Sequence, residues 1–153
     1  MKKIFFAFLV LMTTFHLMAC NKTEPINEHT DTIGTMKLKI TIGENVLFAD
    51  FYDNATAKSF IEKLPLTLPM QDLYNREMVY RFEDALPANE ARTSGYEVGD
   101  ISYWTPRHSF VIFYRQNGEV INSLQKVGRI QAGVELFETT GNASVKFELV
   151  KED

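Results

Sequence analysis

The chain has 153 residues, with 16 Lys and Arg against 20 Asp and Glu, which gives a formal net charge of −4. Nucleic-acid binding requires a basic surface, so this acidic balance argues against a nucleic-acid partner. Its single cysteine excludes an internal disulfide.

The N-terminus has the pattern of an export signal. Two lysines follow Met1, residues 4–12 carry no polar side chain, and the small Ala19 precedes Cys20. A membrane-spanning helix needs about 20 consecutive apolar residues, and this run is much shorter. The pattern therefore predicts a signal peptide over residues 1–19.

The motif LMAC at residues 17–20 resembles the lipobox of bacterial lipoproteins. In that family the cysteine thiol receives a diacylglyceryl group, the chain is cut before the cysteine, and the new N-terminus is acylated. The resemblance implies lipidation of Cys20 and anchoring to a membrane of the bacterial cell envelope. Several acyl chains, at ~0.8 kcal/mol per buried methylene, would hold the protein firmly. The alternative is an ordinary secreted protein in which Cys20 lies here by chance.

The segment after the cysteine is polar. Residues 21–35 read NKTEPINEHTDTIGT, with Pro25, Gly34 and no apolar period, which is typical of a flexible tether. Asn21 differs from the aspartate associated with inner-membrane retention in some bacteria, which favours the outer membrane. We therefore expect a tether over residues 20–35 and one domain over residues 36–153.

The domain begins with a predicted hairpin and helix. Residues 36–42, MKLKITI, alternate between apolar and polar side chains, which predicts a half-buried strand. A glycine turn and a second strand, VLFADFY, follow. Asp53 or Asn54 then caps a helix, which Pro65 ends. The helix is indicated by apolar residues at i, i+3, i+4 and i+7: Ala57, Phe60, Ile61 and Leu64.

The sequence of the rest of the domain predicts mostly short strands. LTLPM, EMVYRF, ISYW, FVIFY and SVKFELV have strand character, residues 83–100 read as a loop, and residues 116–119 as a turn. A helical turn is predicted at residues 133–137. Many strands with few helices indicate a mainly β barrel or sandwich. In a small closed barrel apolar side chains fill the interior, so a binding site would lie on an outer face or in surface loops.

Two stretches resemble cyclophilins. The run ITIGENVLFADFYDNATAKSFIEKLP is similar to the opening of cyclophilins, and GDISYWTPRHSFVIFY with the later VGRI is similar to bacterial cyclophilin-like families of largely uncharacterised function. The resemblance implies a closed antiparallel cyclophilin-like β-barrel of eight strands with one or two short helices.

Cyclophilins are prolyl isomerases, and the resemblance directs attention to Arg81. Rotation about an X-Pro bond has a barrier of about 20 kcal/mol, and the family lowers it with an arginine that donates to the prolyl nitrogen. Here VYRFEDALP offers Arg81 as that donor, with Phe82 or Phe110 for the proline ring, but no Gln-Gly-Gly-Asp segment follows as it does in the family. The alternative is a surface arginine paired with Glu77 or Glu83.

A second candidate site surrounds the TPRH loop. Aromatic and arginine side chains dominate binding hot spots, and loops on a rigid barrel often carry function. The sequence predicts a ligand-binding site formed by Tyr103, Trp104, Arg107, His108, Phe82 and Phe110. The alternative is that the aromatic residues pack at the end of the barrel and that the histidine is solvated.

No pattern predicts a metal or another cofactor, because histidines and carboxylates are scattered and no nucleophile or phosphate-binding motif occurs. Two functions remain. The favoured one is a non-catalytic module that binds an unknown peptide, protein or small ligand. The alternative is a peptidyl-prolyl isomerase acting on exported proteins, which lacks most of the family's active-site segment.

Overall fold

The computed structural model describes residues 36–152. The predicted signal peptide, residues 1–19, and the tether, residues 20–35 with Cys20, lie outside the described residues. Within residues 36–152 no helix is long and apolar enough to cross a membrane.

The described chain forms nine strands and one α-helix, with 3₁₀ turns at Thr105–Arg107 and Val134–Glu138. The strands are β1 (Met36–Ile42), β2 (Asn45–Phe51), β3 (Leu66–Leu73), β4 (Glu77–Arg81), β5 (Arg92–Ser94), β6 (Asp100–Trp104), β7 (Ser109–Phe113), β8 (Ile121–Ile130) and β9 (Ala143–Lys151). The helix, α1, spans Ala55–Ile61 and follows β2.

The strands close into a barrel. Their order is β2-β1-β9-β3-β4-β7-β6-β8, every pairing is antiparallel, and β2 also pairs with β8. The short β5 pairs with β8 outside the eight-stranded ring. The predicted closed antiparallel barrel is confirmed.

Alternating side chains build the barrel interior. In β1, Leu38 and Ile40 are fully buried, whereas Lys37 and Lys39 form ion pairs at the surface. Phe147 of β9 is fully buried beside them, opposite Ile40. The period of two in MKLKITI therefore predicted which side chains enter the core.

Helix α1 covers one end of the barrel. Asn54 is its N-cap: the side-chain oxygen of Asn54 accepts from the amide of Ala57 at 3.0 Å. Phe60 inserts into the interior, where its ring stacks on Phe110 with centroids 4.3 Å apart. Of the two residues that the sequence offered as caps, Asn54 has this role and Asp53 instead pairs with Lys58.

The pairing of β2 with β8 closes the ring at Gly128. This glycine lies opposite Phe51, and a Cβ placed on it would stand 2.3 Å from the carbonyl oxygen of Asp50. Only a residue without a side chain allows the two backbones to come this close.

The predicted loop over residues 83–100 also contains the short β5 and then covers part of the barrel wall. Tyr96 stacks on Phe113 at 4.0 Å and donates its hydroxyl to Asn117 at 2.7 Å. Residues 116–119, predicted as a turn, form an irregular loop between β7 and β8 in which Gly118 has φ +81°. Asn117 and Glu119 of this loop border a groove on the outside of the barrel.

Candidate ligand-binding groove

A groove of about 410 Å³ lies on the outer face of β4, β7, β6 and β8. Its floor is apolar because these strands carry hydrophobic residues on both faces: Met78 points inward and Val79 outward, and Ile112 inward and Val111 outward. Phe113 continues the floor along β7. A barrel wall normally presents polar residues to water, and a concave site with an apolar lining is typical of a ligand pocket.

Arg81 and Arg107 lie at one end of the groove. Arg81 is opposite Ser109 across the β4–β7 ladder, and Arg107 closes the 3₁₀ turn that precedes β7. Among residues 36–152 neither guanidinium is paired with a carboxylate. Trp104 stands next to Ser109 in the sheet, and its indole N–H donates to the carbonyl of Asn122 at 3.1 Å. This hydrogen bond holds the indole ring at the groove.

The opposite end of the groove contains Arg76, whose positive charge is already neutralised by two carboxylates. Arg76 is only 7 % exposed and pairs with Glu77, at 3.0 Å, and with Glu119. Its guanidinium carbon lies 5.5 Å from the ring centroids of Tyr74 and Tyr96, within cation–π range. Burial raises the pKa of Glu77, and the adjacent charge of Arg76 opposes this rise without cancelling it.

Tyr74 stands at the rim beside this ion cluster. It belongs to the β3–β4 turn, where both Tyr74 (φ 58°) and Asn75 (φ 51°) adopt the left-handed conformation. A bulky residue rarely has such a backbone. The Tyr74 side chain is 78 % exposed, so the turn presents an aromatic ring to solvent next to the groove.

The structure brings together three of the residues that the sequence singled out: Arg81, Trp104 and Arg107 all line the groove. It separates Tyr103 and Phe110 from them. These two side chains are 1 % and 0 % exposed, because they point to the interior from strands whose alternate residues face outward.

The predicted six-residue site therefore needs correction. The Tyr103 hydroxyl accepts from the amide of Leu86 at 3.0 Å inside the domain, and Phe110 stacks in the core, so neither can touch a ligand on the outer wall. Phe82 also packs against the core, edge-on to Tyr80 at 5.1 Å. A proline pocket made by Phe82 or Phe110 beside Arg81 is thus not what the structure shows.

His108 is half-buried at the end of the TPRH turn. It has φ 48°, and its Nδ1 lies 3.2 Å from the carbonyl oxygen of Glu83. His108 therefore connects two loops and is not among the groove-lining residues.

Sequence reasoning missed the floor and the neutralised end of the groove. The available signal was the continuous apolar run FVIFY: a barrel strand with one solvated face should alternate, so an unbroken run indicates that the outer face is also covered or concave. The role of Leu124, which comes from β8, depends on strand register and has no local signal.

A second, polar pocket surrounds Asp100 but is occupied by its own ion pairs. Asp100 is 2 % exposed, pairs with Lys126 and with Arg129 at 3.0 Å, and accepts from the amide of Glu97 at 2.8 Å. These bonds join β6 to β8, which gives the aspartate of the GDISYW motif a structural role. Residues 36–152 contain no group of three or more His, Cys, Asp or Glu side chains that could hold a metal.

The fold and groove define a closed eight-stranded antiparallel barrel with a concave apolar face on its outer wall. The sequence pattern of the cyclophilin-like family matches residues 40–148, and the chain belongs to that family. The solution structure of the hypothetical protein AF2241 from Archaeoglobus fulgidus is similar, with a TM-score of 0.60 and 19 % identity. The match covers 74 % of this chain and 94 % of that one, and it shows a shared fold. No curated protein matches the chain.

Proposed function

We propose that this protein is a lipid-anchored protein of the bacterial cell envelope whose barrel binds a ligand in the outer groove without catalysing a reaction. The observation that carries this proposal is the groove over the apolar outer face of β4 and β7, which is bordered by Arg81, Trp104 and Arg107. Small-molecule sites combine an apolar lining with a few polar groups that fix orientation.

The polar groups of the groove support binding better than proton transfer. Glu77 and Glu119 both pair with Arg76. The Ser109 hydroxyl donates to the carbonyl of Arg107 at 3.2 Å. These groups are engaged in holding the walls together, whereas general acid–base chemistry needs a group within reach of the reacting proton.

The binding proposal is tested with a neutral apolar dye, 1-N-phenylnaphthylamine, whose emission rises in an apolar site. We expect the soluble chain 21–153 to bind the dye, with energy transfer from Trp104, the single tryptophan. Ile121→Gln should weaken binding, because it places an amide at a partly buried position of the groove lining. Phe48→Gln is the matched control, since Phe48 is half exposed on β2, away from the groove. Absence of dye binding, or equal loss in both variants, refutes the proposal.

The lipid anchor is tested separately. We expect the full chain to label with a palmitate analogue and to sediment with membranes, and Cys20→Ser to lose both properties. Asn21→Ser, which changes the adjacent residue and keeps the thiol, should behave like the unaltered chain. Labelling or membrane attachment that persists in Cys20→Ser rejects the anchor.

The position of Arg81 favours prolyl isomerisation as a second candidate function, because its guanidinium borders an apolar groove rather than pairing with Glu77 or Glu83. A protease-coupled isomerisation assay on the chain 21–153 decides between the two functions. The binding proposal predicts no acceleration over the uncatalysed rate. Acceleration that disappears in Arg81→Ala but persists in Arg92→Ala would replace it with the isomerase.

A further inference from the structure

We propose that the ligand of this groove is an amphipathic monocarboxylic acid with a hydrocarbon body, bound with its carboxylate between Arg81 and Arg107. The inference rests on the proposed binding function and adds the chemical class of the ligand.

The charges of the groove select an anion at one end. Three arginines and two glutamates line it, an excess of one positive charge in a chain whose net charge is −4. Both glutamates pair with Arg76 at the far end. The unneutralised charge therefore belongs to Arg81 and Arg107, and guanidinium groups bind carboxylates in a bidentate geometry.

The apolar floor of the groove determines the length and polarity of the ligand's hydrocarbon part. Glu77 and Arg81 are four residues apart on β4, which corresponds to about 13 Å of groove at ~3.3 Å per residue. Between the two charged ends lie Val79 and Val111, and Leu124 of the lining lies at the level of Arg81. A hydrocarbon chain of medium length matches this distance and this lining.

The backbone of the wall argues against a peptide. Strands β7 and β6 have a hydrogen-bonded neighbour on both sides, and β4 pairs with β7 along its whole length and with β3 over residues 77–79, so the backbone beneath the valine floor is used within the sheet. Peptide recognition by strand addition needs a free edge. The amides of a peptide laid over the valine floor would lose water without gaining partners, which is unfavourable. A body without amides avoids that cost.

Trp104 supplies the readout for the test, because the only tryptophan borders the groove. The chain 21–153 is titrated with decanoate, decanol and decyltrimethylammonium, following Trp104 emission, below the micelle concentrations of the two ions and below the solubility limit of decanol. We expect decanoate to bind at least tenfold more tightly than decanol and the cation to bind most weakly.

Charge-neutralising variants locate the carboxylate. Arg81→Gln and Arg107→Gln should each remove most of the tenfold preference for decanoate while leaving decanol affinity unchanged. Arg92→Gln, at an exposed arginine outside the groove, should retain the preference. Equal binding of decanoate and decanol, or a preference that survives both groove variants, overturns the inference.

A comparison with peptides tests whether the bound carboxylate could be the C-terminus of a peptide. An apolar hexapeptide with a free C-terminus is compared with its C-terminal amide. We expect both to bind more weakly than decanoate, and tighter binding of the free acid peptide than of decanoate overturns the hydrocarbon body. If the neutral dye binds and decanoate shows no preference, this inference fails while the binding function stands. If neither binds, the binding function itself fails.

Discussion

Tyr74 illustrates a local strain that the core does not require. Its φ of 58° lies in the left-handed region, which costs a residue with a Cβ roughly 1–2 kcal/mol. Its ring is exposed and lies beside the guanidinium of Arg76. Strained residues often mark functional positions, and this one stands at the rim of the groove.

We expect Tyr74→Asn to raise the free energy of unfolding by about 1 kcal/mol, because asparagine tolerates the left-handed conformation at lower cost. Urea denaturation of the chain 21–153 measures this change. Tyr52→Asn is the matched control, since Tyr52 is also exposed but has an ordinary backbone. A less stable Tyr74→Asn would show that the contact with Arg76 outweighs the strain.

At the scale of elements, helix α1 depends on one capping side chain with two roles. The Asn54 oxygen accepts from the Ala57 amide at 3.0 Å, and its Nδ2 donates to the carbonyl of Lys126 at 2.9 Å. The cap therefore both starts the helix and attaches it to β8. Phe60, the main core contact of the helix, is positioned by this attachment.

Asn54→Ala should lower the free energy of unfolding by about 1–2 kcal/mol, the usual cost of a lost N-cap. Denaturant titration measures the loss. Asp53→Ala removes a neighbouring carboxylate whose ion pair with Lys58 is exposed, and such pairs contribute little. Equal losses in the two variants would contradict the assignment of the cap to Asn54.

The sequence predicts which side chains of a strand enter the core only where the two faces of that strand differ in polarity. In β1 they do, and the alternation of Leu38 and Lys39 assigned each side chain correctly. In β7 both faces are apolar, so the period of two could not tell that Phe110 enters the core and Val111 forms the groove. Arg81 and Trp104 were identified by residue type, but their meeting in one groove depends on β7 lying between β4 and β6, a non-local pairing.

At the scale of the whole molecule, closure of the barrel depends on Gly128. The β2–β8 ladder has only three paired positions, and Gly128 opposite Phe51 is one of them. A side chain there would collide with the backbone of Asp50. Because backbone cannot move aside as a flexible side chain can, the strands would have to separate.

We expect Gly128→Ala to destabilise the domain by about 3 kcal/mol or more, as overpacking against rigid neighbours does at its upper end. Thermal unfolding followed by circular dichroism measures the effect. Gly95→Ala is the control, since a Cβ at Gly95 meets no atom within 4 Å and its φ is not positive. A melting temperature unchanged by Gly128→Ala would mean that the ring closes with more tolerance than the structure implies.

The position of β1 has a mechanical consequence. Met36 begins a strand that is bonded along its length to β9 on one side, through seven pairs, and to β2 on the other. A load applied to Met36 along the axis of β1 would be resisted in shear by both ladders, so their bonds would have to break together. Under the proposed function, a pull on a ligand bound in the groove would reach Met36 without peeling the first strand away.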